Sequence, residues 1–395
     1  MPMLKNIYIA GGCRTPFGAF QGSLSTVPAA ELGATAIRGA LKRSGIKPTD
    51  VDEVFMGNVI GAGLGQNIAR QCSLGAGIGD EVGCTTINKV CGSSMRSIIH
   101  AAQAIQCDDM ALAVAGGVES MSGAPYLLPQ ARSGYRMGNG QVVDSMVHDG
   151  LWDVYNDVHM GNCGDKCAAA YGFSREQQDA FAIESFKRAI KARDEGISAA
   201  IIEAVEVKGR KGSVIVDKDE NPEKFVEDKI AALRPAFGKE GTVTAGNASS
   251  INDGAAACVV FGDDRLKSLG IKPQARILGH ANVAMEPTQF TVAPIHAIRK
   301  LSDKLNLKLA DVDLFEINEA FSVVAMAAIH DLKLDHAKVN VYGGAVALGH
   351  PLGATGARIT ITLAQALEVS NKSVGIAALC IGGGEASAIA IERVE

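Results

Sequence analysis

Nowhere in the chain do eighteen apolar residues follow one another, so the sequence predicts no membrane-spanning helix. Positive charge is not in excess either. The 38 Lys and Arg face 43 Asp and Glu, a formal net charge of −5, which argues against a general nucleic-acid binder. Several catalytic signatures are missing. There is no G-x-x-x-x-G-K-[ST], no H-E-x-x-H and no G-x-S-x-G, which excludes the phosphate loop, the helical zinc-protease motif and the serine-hydrolase elbow. Gly61-Ala62-Gly63-Leu64-Gly65 is not a dinucleotide fingerprint, because Gln66 occupies its last place. No C-x-x-C occurs. His159, Cys163 and Cys167 fall at i, i+4 and i+8, but no fourth ligand follows at zinc spacing, and packing of a helix face is the favoured reading. Between 206 and 240 basic and acidic residues balance, so no phosphate-binding patch is read there. No secretory signal is recognised; residues 4–10 read as a first strand, and residues 392–395 spell no peroxisomal or retention address, so a cytoplasmic protein is expected.

What is present bounds the rest. A chain of 395 residues is long enough for two or three domains of about 150 residues. Nine cysteines, an odd number, read as free thiols of a reducing compartment, each a small buried hydrophobe or a reactive group. The 45 glycines exceed an average share of about 7%, and they cluster without a G-X-Y period. Such clusters mark tight turns or close backbone approach. Strand-like and helix-like pieces alternate, which favours an α/β fold. Apolar spacing predicts a helix over 29–44 and another from Met95 to Ile105, strands at 53–56 and 110–115 (the latter closed by Gly116-Gly117), and an extended 85–90. From about 123 to 252 strand signals thin out. That stretch holds an exposed excursion at 133–140, a capped helix over 174–196 and turns at 208–212 and 217–222, and reads as an insertion. The last third repeats the first in outline. A strand at 313–316 echoes 53–56, a helix opening at His350 takes the place of the helix after Cys91, and Gly382-Gly383-Gly384-Glu385-Ala386-Ser387 echoes Gly116-Gly117-Val118-Glu119-Ser120. Two similar α/β halves are implied, with reactive side chains at matching turns.

Cys91 stands between an extended segment and a helix start. There the helix dipole and free N–H groups would lower its thiol pKa and hold the oxyanion of an acyl group on sulfur. The plain alternative is a buried structural cysteine. His350, in a glycine-rich turn, is placed to accept the Cys91 proton, or else simply caps a helix. Cys380, at a strand end before three glycines, would shuttle a second proton or be a buried strand residue. Asn318 would hold a water or an oxyanion, or serve as an N-cap.

Taken together these residues resemble the thiolase family. Asn88-Lys89-Val90-Cys91-Gly92-Ser93-Ser94-Met95 is similar to its nucleophile motif, and Asn318-Glu319-Ala320-Phe321, Gly349-His350-Pro351 and Cys380-Ile381-Gly382-Gly383-Gly384 to its other catalytic motifs. Arg14-Thr15-Pro16-Phe17-Gly18 and the stretch from Gly246-Asn247-Ala248-Ser249 to Asp253-Gly254-Ala255 also resemble it, so the likeness spans the chain. The resemblance implies an α/β thiolase fold of two similar five-layered α/β/α/β/α halves with an inserted loop domain. It places the N-terminal half at 1–123 plus 253–273, the loop domain at 124–252 and the C-terminal half at 274–395.

Chain length and His159-Met160-Gly161 resemble the short-chain branch, an acyltransferase of lipid metabolism. The implied activity is reversible Claisen condensation of two acetyl-CoA to acetoacetyl-CoA and CoA through an acetyl-cysteine. A broader-chain degradative 3-ketoacyl-CoA thiolase and a non-catalytic CoA- or lipid-binding relative are the alternatives. A ketoacyl synthase shares the fold but uses Cys plus two His, against which Cys380 and Asn318 speak.

In this reading Cys91 is the nucleophile and His350 accepts its proton. The Cys91 and Gly382 amides hold the acyl oxygen, Asn318 holds a water and Cys380 removes the α-proton. Ser249, His159, Met160, Leu233, Phe237, Ala245 and Phe321 match pantetheine-contacting or acyl-pocket positions. CoA thioesters are substrates, and no metal or redox cofactor is implied. Residues 122–144 resemble a tetramerisation loop, which implies a homotetramer, a dimer of dimers, with no nucleic-acid or membrane partner. One departure is Asn221-Pro222-Glu223, where some relatives carry Arg or Tyr; an adenine-side contact, or the potassium site of one subtype, is left without support.

Overall fold

The computed structural model describes residues 5–210 and 212–394. At its centre strand β1 (Ile7–Arg14) is buried along its whole length, as a strand covered on both faces has to be. The other long strands among the described residues are β2 (Glu53–Gly57), β3 (Gly83–Ile87), β4 (Leu112–Ser120), β5 (Asn252–Gly262), β6 (Ala275–Ala284), β7 (Leu314–Ile317), β8 (Val374–Ile381) and β9 (Glu385–Arg393). They form one sheet in the order β7-β8-β9-β6-β1-β5-β4-β2-β3, with the short strand Gly18–Ala19 paired to β5. The main helices are α1 (Ala29–Ser44), α2 (Ile68–Gly75), α3 (Ser93–Gln106), α4 (Met160–Tyr171), α5 (Arg175–Asp194), α6 (Ala293–Leu305), α7 (Ser322–Leu332) and α8 (Thr355–Val369).

The strand order contains the sequence repeat. From β1 outward, β5 and β4 follow antiparallel, then β2 and β3 parallel. From β6 outward, β9 and β8 follow antiparallel, then β7 parallel, and Val339 bridges Phe315 in the position that β3 holds on the other side. The halves join where Ile9 of β1 pairs with Ala275 of β6.

Alternation along each strand sorts side chains into layers. In β4, Leu112 and Val114 pack with Leu32, Ile37 and Ile68 of α1 and α2. Ala113 and Ala115 face inward to Ile98 and Ile99 of α3 and to Ile359 and Leu363 of α8. In β8, Ala377, Leu379 and Ile381 share that inner core. Ile376, Ala378 and Cys380 instead pack with Ile298 of α6 and Val324 of α7. The result is five layers, α1/α2, the first half-sheet, α3/α8, the second half-sheet and α6/α7, so the five-layered α/β/α/β/α stack expected of each half is built by the two halves together.

Several sequence expectations shift. β4 does not close at Gly116-Gly117 but runs through to Ser120. A Cβ at Gly116 would lie 2.2 Å from the Ala256 carbonyl and one at Gly117 2.0 Å from that of Gly353, so these glycines admit close strand and turn packing inside the strand. Gly382–Gly384, by contrast, form the turn between β8 and β9, so that glycine echo is out of register with the structural repeat. The extended 85–90 segment ends at Ile87. The helix after His350 starts only at Thr355, preceded by a tight turn, Leu352–Ala354. Residues 133–140 are exposed, as expected, and the 174–196 helix is α5, with a Ser174/Gln177 capping box. The hairpin Val205–Gly209/Gly212–Val216 occupies the 208–212 turn, of which Lys211 lies outside the described residues, as do Leu4 of the first strand and Glu395 of the terminal tetrapeptide. No described helix is long and apolar enough to cross a membrane.

Candidate active site

Cys91 sits two residues before α3, with Gly92 as the cap position. The turn that delivers it is held by its own side chains. Asn88 Oδ1 accepts from the Val90 amide at 2.9 Å, and Ser93 Oγ accepts from the Lys89 amide at 2.9 Å while donating to the Val90 carbonyl at 2.6 Å. These bonds hold Val90 at φ +46°, a left-handed conformation that a β-branched residue adopts only under constraint. A Cβ on Gly92 would come within 2.5 Å of Ile381 Cδ1, so the turn presses on the end of β8. That contact sets Cys91 beside Gly382, whose backbone amide, together with that of Cys91, favours the thiolate. Burial is the larger effect and pushes the thiol up to about 11. The acidic thiol expected from the helix start is therefore not found. The helix-end argument is outweighed because the sulfur is removed from water.

His350 lies five residues ahead of α8 and is not its cap; Ala354 holds that position. Gly349 turns at φ +108°, and a Cβ there would meet Asn252 Oδ1 at 2.2 Å. The His350 amide donates to Asn252 Oδ1 at 3.2 Å and to the Ser250 carbonyl at 3.3 Å. The ring is buried, its Nδ1 is 2.7 Å from Thr355 Oγ1, and its Nε2 has no hydrogen-bond partner. Burial, then the nearby Arg358 charge, push its pKa down to about 3, so the ring is neutral at pH 7. Behind it, the Glu119 carboxylate accepts from the Gly353, Val59 and Ile60 amides and from Asn58 Nδ2 at 2.8 to 3.1 Å, tying the turn after His350 to the 58–60 loop.

One cavity of about 470 Å³ collects Cys91, His350, Gly382, His159, Met160, Phe237, Ala245, Ser249 and Phe321 in its wall. Its size suits a small-molecule site. His159 is the N-cap of α4, with Nδ1 accepting from the Gly161 amide at 3.0 Å, and its ring stacks on Phe237 at 4.6 Å. Phe321 meets Phe237 edge-on at 6.1 Å. Ser249 is fixed by its Oγ donating to the Ala320 carbonyl at 2.9 Å.

Three expected residues lie off the wall. Leu233 sits behind Gly246, whose Cβ would approach it to 2.6 Å. Cys380 is fully buried on the α6/α7 side of β8. Burial pushes its thiol well above the ordinary range, and the Cys91 sulfur raises it further. Asn318, also fully buried, follows β7 and precedes α7 by four residues, so it is not a helix cap. Its Oδ1 accepts from Arg358 at 3.1 Å and its Nδ2 is unpartnered. Sequence reasoning assigned no role to Thr355, Arg358 or Glu119. The signal was a charged or hydroxylic residue inside otherwise apolar helix and strand, which periodicity alone does not interpret. Cys163 and Cys167 point into the apolar core with Phe290 and Phe321.

Comparison with known proteins shows the family of the chain. The "Thiolase, N-terminal domain" family matches residues 7–264 and the "Thiolase, C-terminal domain" family residues 271–393. The acetyl-CoA acetyltransferase of Schizosaccharomyces pombe is 49% identical, covering 98% of this chain and 99% of its own. A cytosolic acetyl-CoA acetyltransferase of Gibberella zeae is 47% identical over the full length of both. The crystal structure of Acat5 thiolase from Ascaris suum in complex with coenzyme A superposes with a TM-score of 0.93 at 46% identity, covering 99% of this chain and 100% of that one.

Proposed function

The chain belongs to the thiolase family, and from that premise we propose that it catalyses the reversible Claisen condensation of two acetyl-CoA to acetoacetyl-CoA and CoA. The observation that carries this reading is the meeting of a thiol, a neutral imidazole with an unpartnered Nε2 and a backbone amide (Cys91, His350 and Gly382) on the wall of one largely apolar cavity. The full-length likeness to acetyl-CoA acetyltransferases supports the acetyl substrate.

In the first half-reaction the Cys91 proton passes to His350 Nε2 as the sulfur attacks the thioester carbonyl. The carbonyl oxygen is held by the amides of Cys91 and Gly382. The carbon–sulfur bond to CoA breaks, the Cys380 thiol gives its proton to the departing thiolate, His350 keeps the Cys91 proton on Nε2, and acetyl-Cys91 remains. Coupling proton transfer to attack suits a thiol held near 11, since little free thiolate exists at pH 7. In the second half-reaction the thioester oxygen of another acetyl-CoA faces the His350 Nε2–H and a water held by Asn318. The Cys380 thiolate takes the α-proton; its desolvation makes it a strong base once ionised. The new carbanion attacks acetyl-Cys91 and expels the Cys91 sulfur, which takes its proton back from His350 as acetoacetyl-CoA is released. Reversal is thiolysis. Every proton is carried by these side chains, so the reaction is assigned no metal or redox cofactor.

His159, Met160, Phe237, Ala245, Ser249 and Phe321, with Leu233 behind them, form the surface on which the pantetheine arm lies. The segment 124–252 acts as the CoA-binding loop domain between a first half (1–123 with 253–273) and a second (274–395). Tyr126, Leu128, Met137 and Val142 expose apolar surface in the 122–144 stretch, which supports assembly into a homotetramer. The cytosolic relative supports a cytoplasmic location. The test is initial-rate kinetics of thiolysis with acetoacetyl-CoA and CoA varied against each other, together with intact mass after incubation with acetyl-CoA and quenching. Parallel reciprocal plots and one added acetyl group on Cys91 are expected; intersecting plots without acyl-enzyme overturn the reading.

A further inference from the structure

We propose that Thr355 and Arg358, one turn apart at the start of α8, are positioning residues that fix the hydrogen-bond polarity of the site. In the resting enzyme they make His350 Nε2 an acceptor toward the Cys91 thiol and Asn318 Nδ2 a donor toward the water that faces the thioester oxygen. The proposal deepens the reading above and rests on it.

A threonine hydroxyl carries one proton. The Thr355 hydroxyl donates it to the Pro351 carbonyl at 3.0 Å. Toward His350 Nδ1, at 2.7 Å, it is therefore left to accept, so Nδ1 carries the ring proton. In a neutral ring the other nitrogen is then a bare lone pair, and Nε2 is the buried, unpartnered atom of a residue that lines the cavity. The opposite tautomer would present N–H to the Cys91 thiol, two donors facing each other, and the proton would have nowhere to go.

Arg358 applies the same logic to the amide. A guanidinium has no acceptor, so the Asn318 atom 3.1 Å from it has to be Oδ1. The amide NH₂ is thereby turned away, and Nδ2 is the atom left without a partner. The reverse flip would turn Oδ1 toward that water and take up one of the protons it needs for the developing charge. Arg358 is itself fully buried and held at 2.7 Å by Glu316. Because Thr355 and Arg358 are three residues apart on one helix, they share a face, and one rigid element sets both polarities.

Two measurements on the full chain test this. Histidine-¹⁵N spectra, with the His350 signals assigned by loss in His350→Asn, are expected to show protonated Nδ1 and unprotonated Nε2 in the wild type and in Thr355→Ser. Thr355→Val, which keeps the shape and drops the hydroxyl, is expected to show a mixed or reversed tautomer. Its acetyl transfer to Cys91 is expected to fall about 100-fold or more in kcat with KM little changed, the scale a wrong tautomer imposes on a catalytic histidine. Thr355→Ser restores both. For the second residue, Arg358→Lys keeps the charge but cannot reach both partners, and Asn318→Asp keeps Arg358 paired while removing the donor. Both are expected to retain the acetyl-Cys91 burst and to lose exchange of the acetyl α-protons with solvent. A wild-type Nε2 that carries the proton, an unchanged spectrum in Thr355→Val, or full α-proton exchange in Asn318→Asp or in folded Arg358→Lys overturns the proposal. Absence of acetyl-Cys91 in the wild type instead overturns the functional reading, which the tautomer spectrum does not depend on.

Discussion

Gly92 and Ile381 lie so close that a Cβ on the glycine would stand 2.5 Å from the Ile381 Cδ1 and 3.1 Å from its Cγ1. The turn that carries the nucleophile is thus seated against the strand that ends at the opposing amide of Gly382. Gly92→Ala is expected to cost about 1–3 kcal/mol in unfolding free energy, the scale of overpacking. It should also lower kcat, because the two amides that hold the acyl oxygen are pushed apart. Ile381→Val removes the crowded carbon, so the double variant should recover part of both losses. Strict additivity of the two changes, in urea midpoints and in kcat, would show that the contact is not shared.

The two thiols are expected to fail differently. Cys91→Ser should abolish the acetyl-enzyme adduct and turnover together. Cys380→Ser should still form the adduct but lose condensation by about 10²–10⁴, the usual worth of a positioned base. The assays are adduct mass and acetoacetyl-CoA formation on the same samples. Normal condensation by Cys380→Ser rejects the proton role.

The repeated halves, and the residues that meet on the cavity wall, were legible because each leaves a local mark: periodicity, a glycine cluster, a reactive residue at a turn. What was not legible depends on register between distant elements. The sequence around Cys91 implies a helix dipole and an acidic thiol. The desolvation that raises the thiol comes from Ile381 and the inner core, nearly 300 residues away. Thr355 and Arg358 read as ordinary helix residues until α8 is laid beside His350 and β7. Gly116-Gly117 read as a strand end because the carbonyls of Ala256 and Gly353 that require them come from elsewhere in the chain.

His350 should leave a signature in acid. Its folded pKa, pushed down by burial and by Arg358, is about 3 against 6.5 for an ordinary histidine. The folded state binds fewer protons in that window, so its contribution to stability is present above pH 6.5 and is lost as pH falls towards 3. His350→Asn should therefore gain stability relative to the wild type as pH is lowered through that range, measured by urea unfolding. The acetyl-transfer rate of the wild type should show no inflection near 6.5, because the ring is already neutral there. An inflection at that pH would mean that the ring titrates as an exposed one.

Asp219 ties the inserted segment to the first strand. Its carboxylate takes both terminal nitrogens of Arg14, at 2.6 and 2.7 Å, and the Phe17 amide at 2.9 Å, all buried. Asp219→Ala leaves the Arg14 cation buried without its partner and should cost about 3–5 kcal/mol. Removing both charges, in Arg14→Met/Asp219→Ala, should cost less than Asp219→Ala alone, since no stranded charge remains. Equal losses, read from thermal or urea unfolding, would mean that the pair adds nothing beyond its volume.

Glu119 is expected to couple stability to pH in the opposite sense from His350. Burial pushes its carboxyl up to about 7, from an ordinary value of 4.5, against the pull of the Ile60, Gly353 and Val59 amides. The folded state therefore holds a proton that the unfolded chain releases. The stabilisation this gives is complete below pH 4.5 and is lost as pH rises through 7. Glu119→Gln cannot titrate, and its NH₂ meets the same N–H donors that the carboxyl proton of the wild type meets, on Oε2 from Gly353 and Val59 or on Oε1 from Ile60 and Asn58. The variant should therefore match the wild type near pH 4.5 in urea unfolding. It should become the more stable of the two as pH is raised to 7, because only the wild type loses stability in that window. A variant less stable than the wild type by about 1–3 kcal/mol across the whole range, the cost of stranding a buried polar group, would mean that the carboxylate is ionised throughout, with the amides outweighing burial.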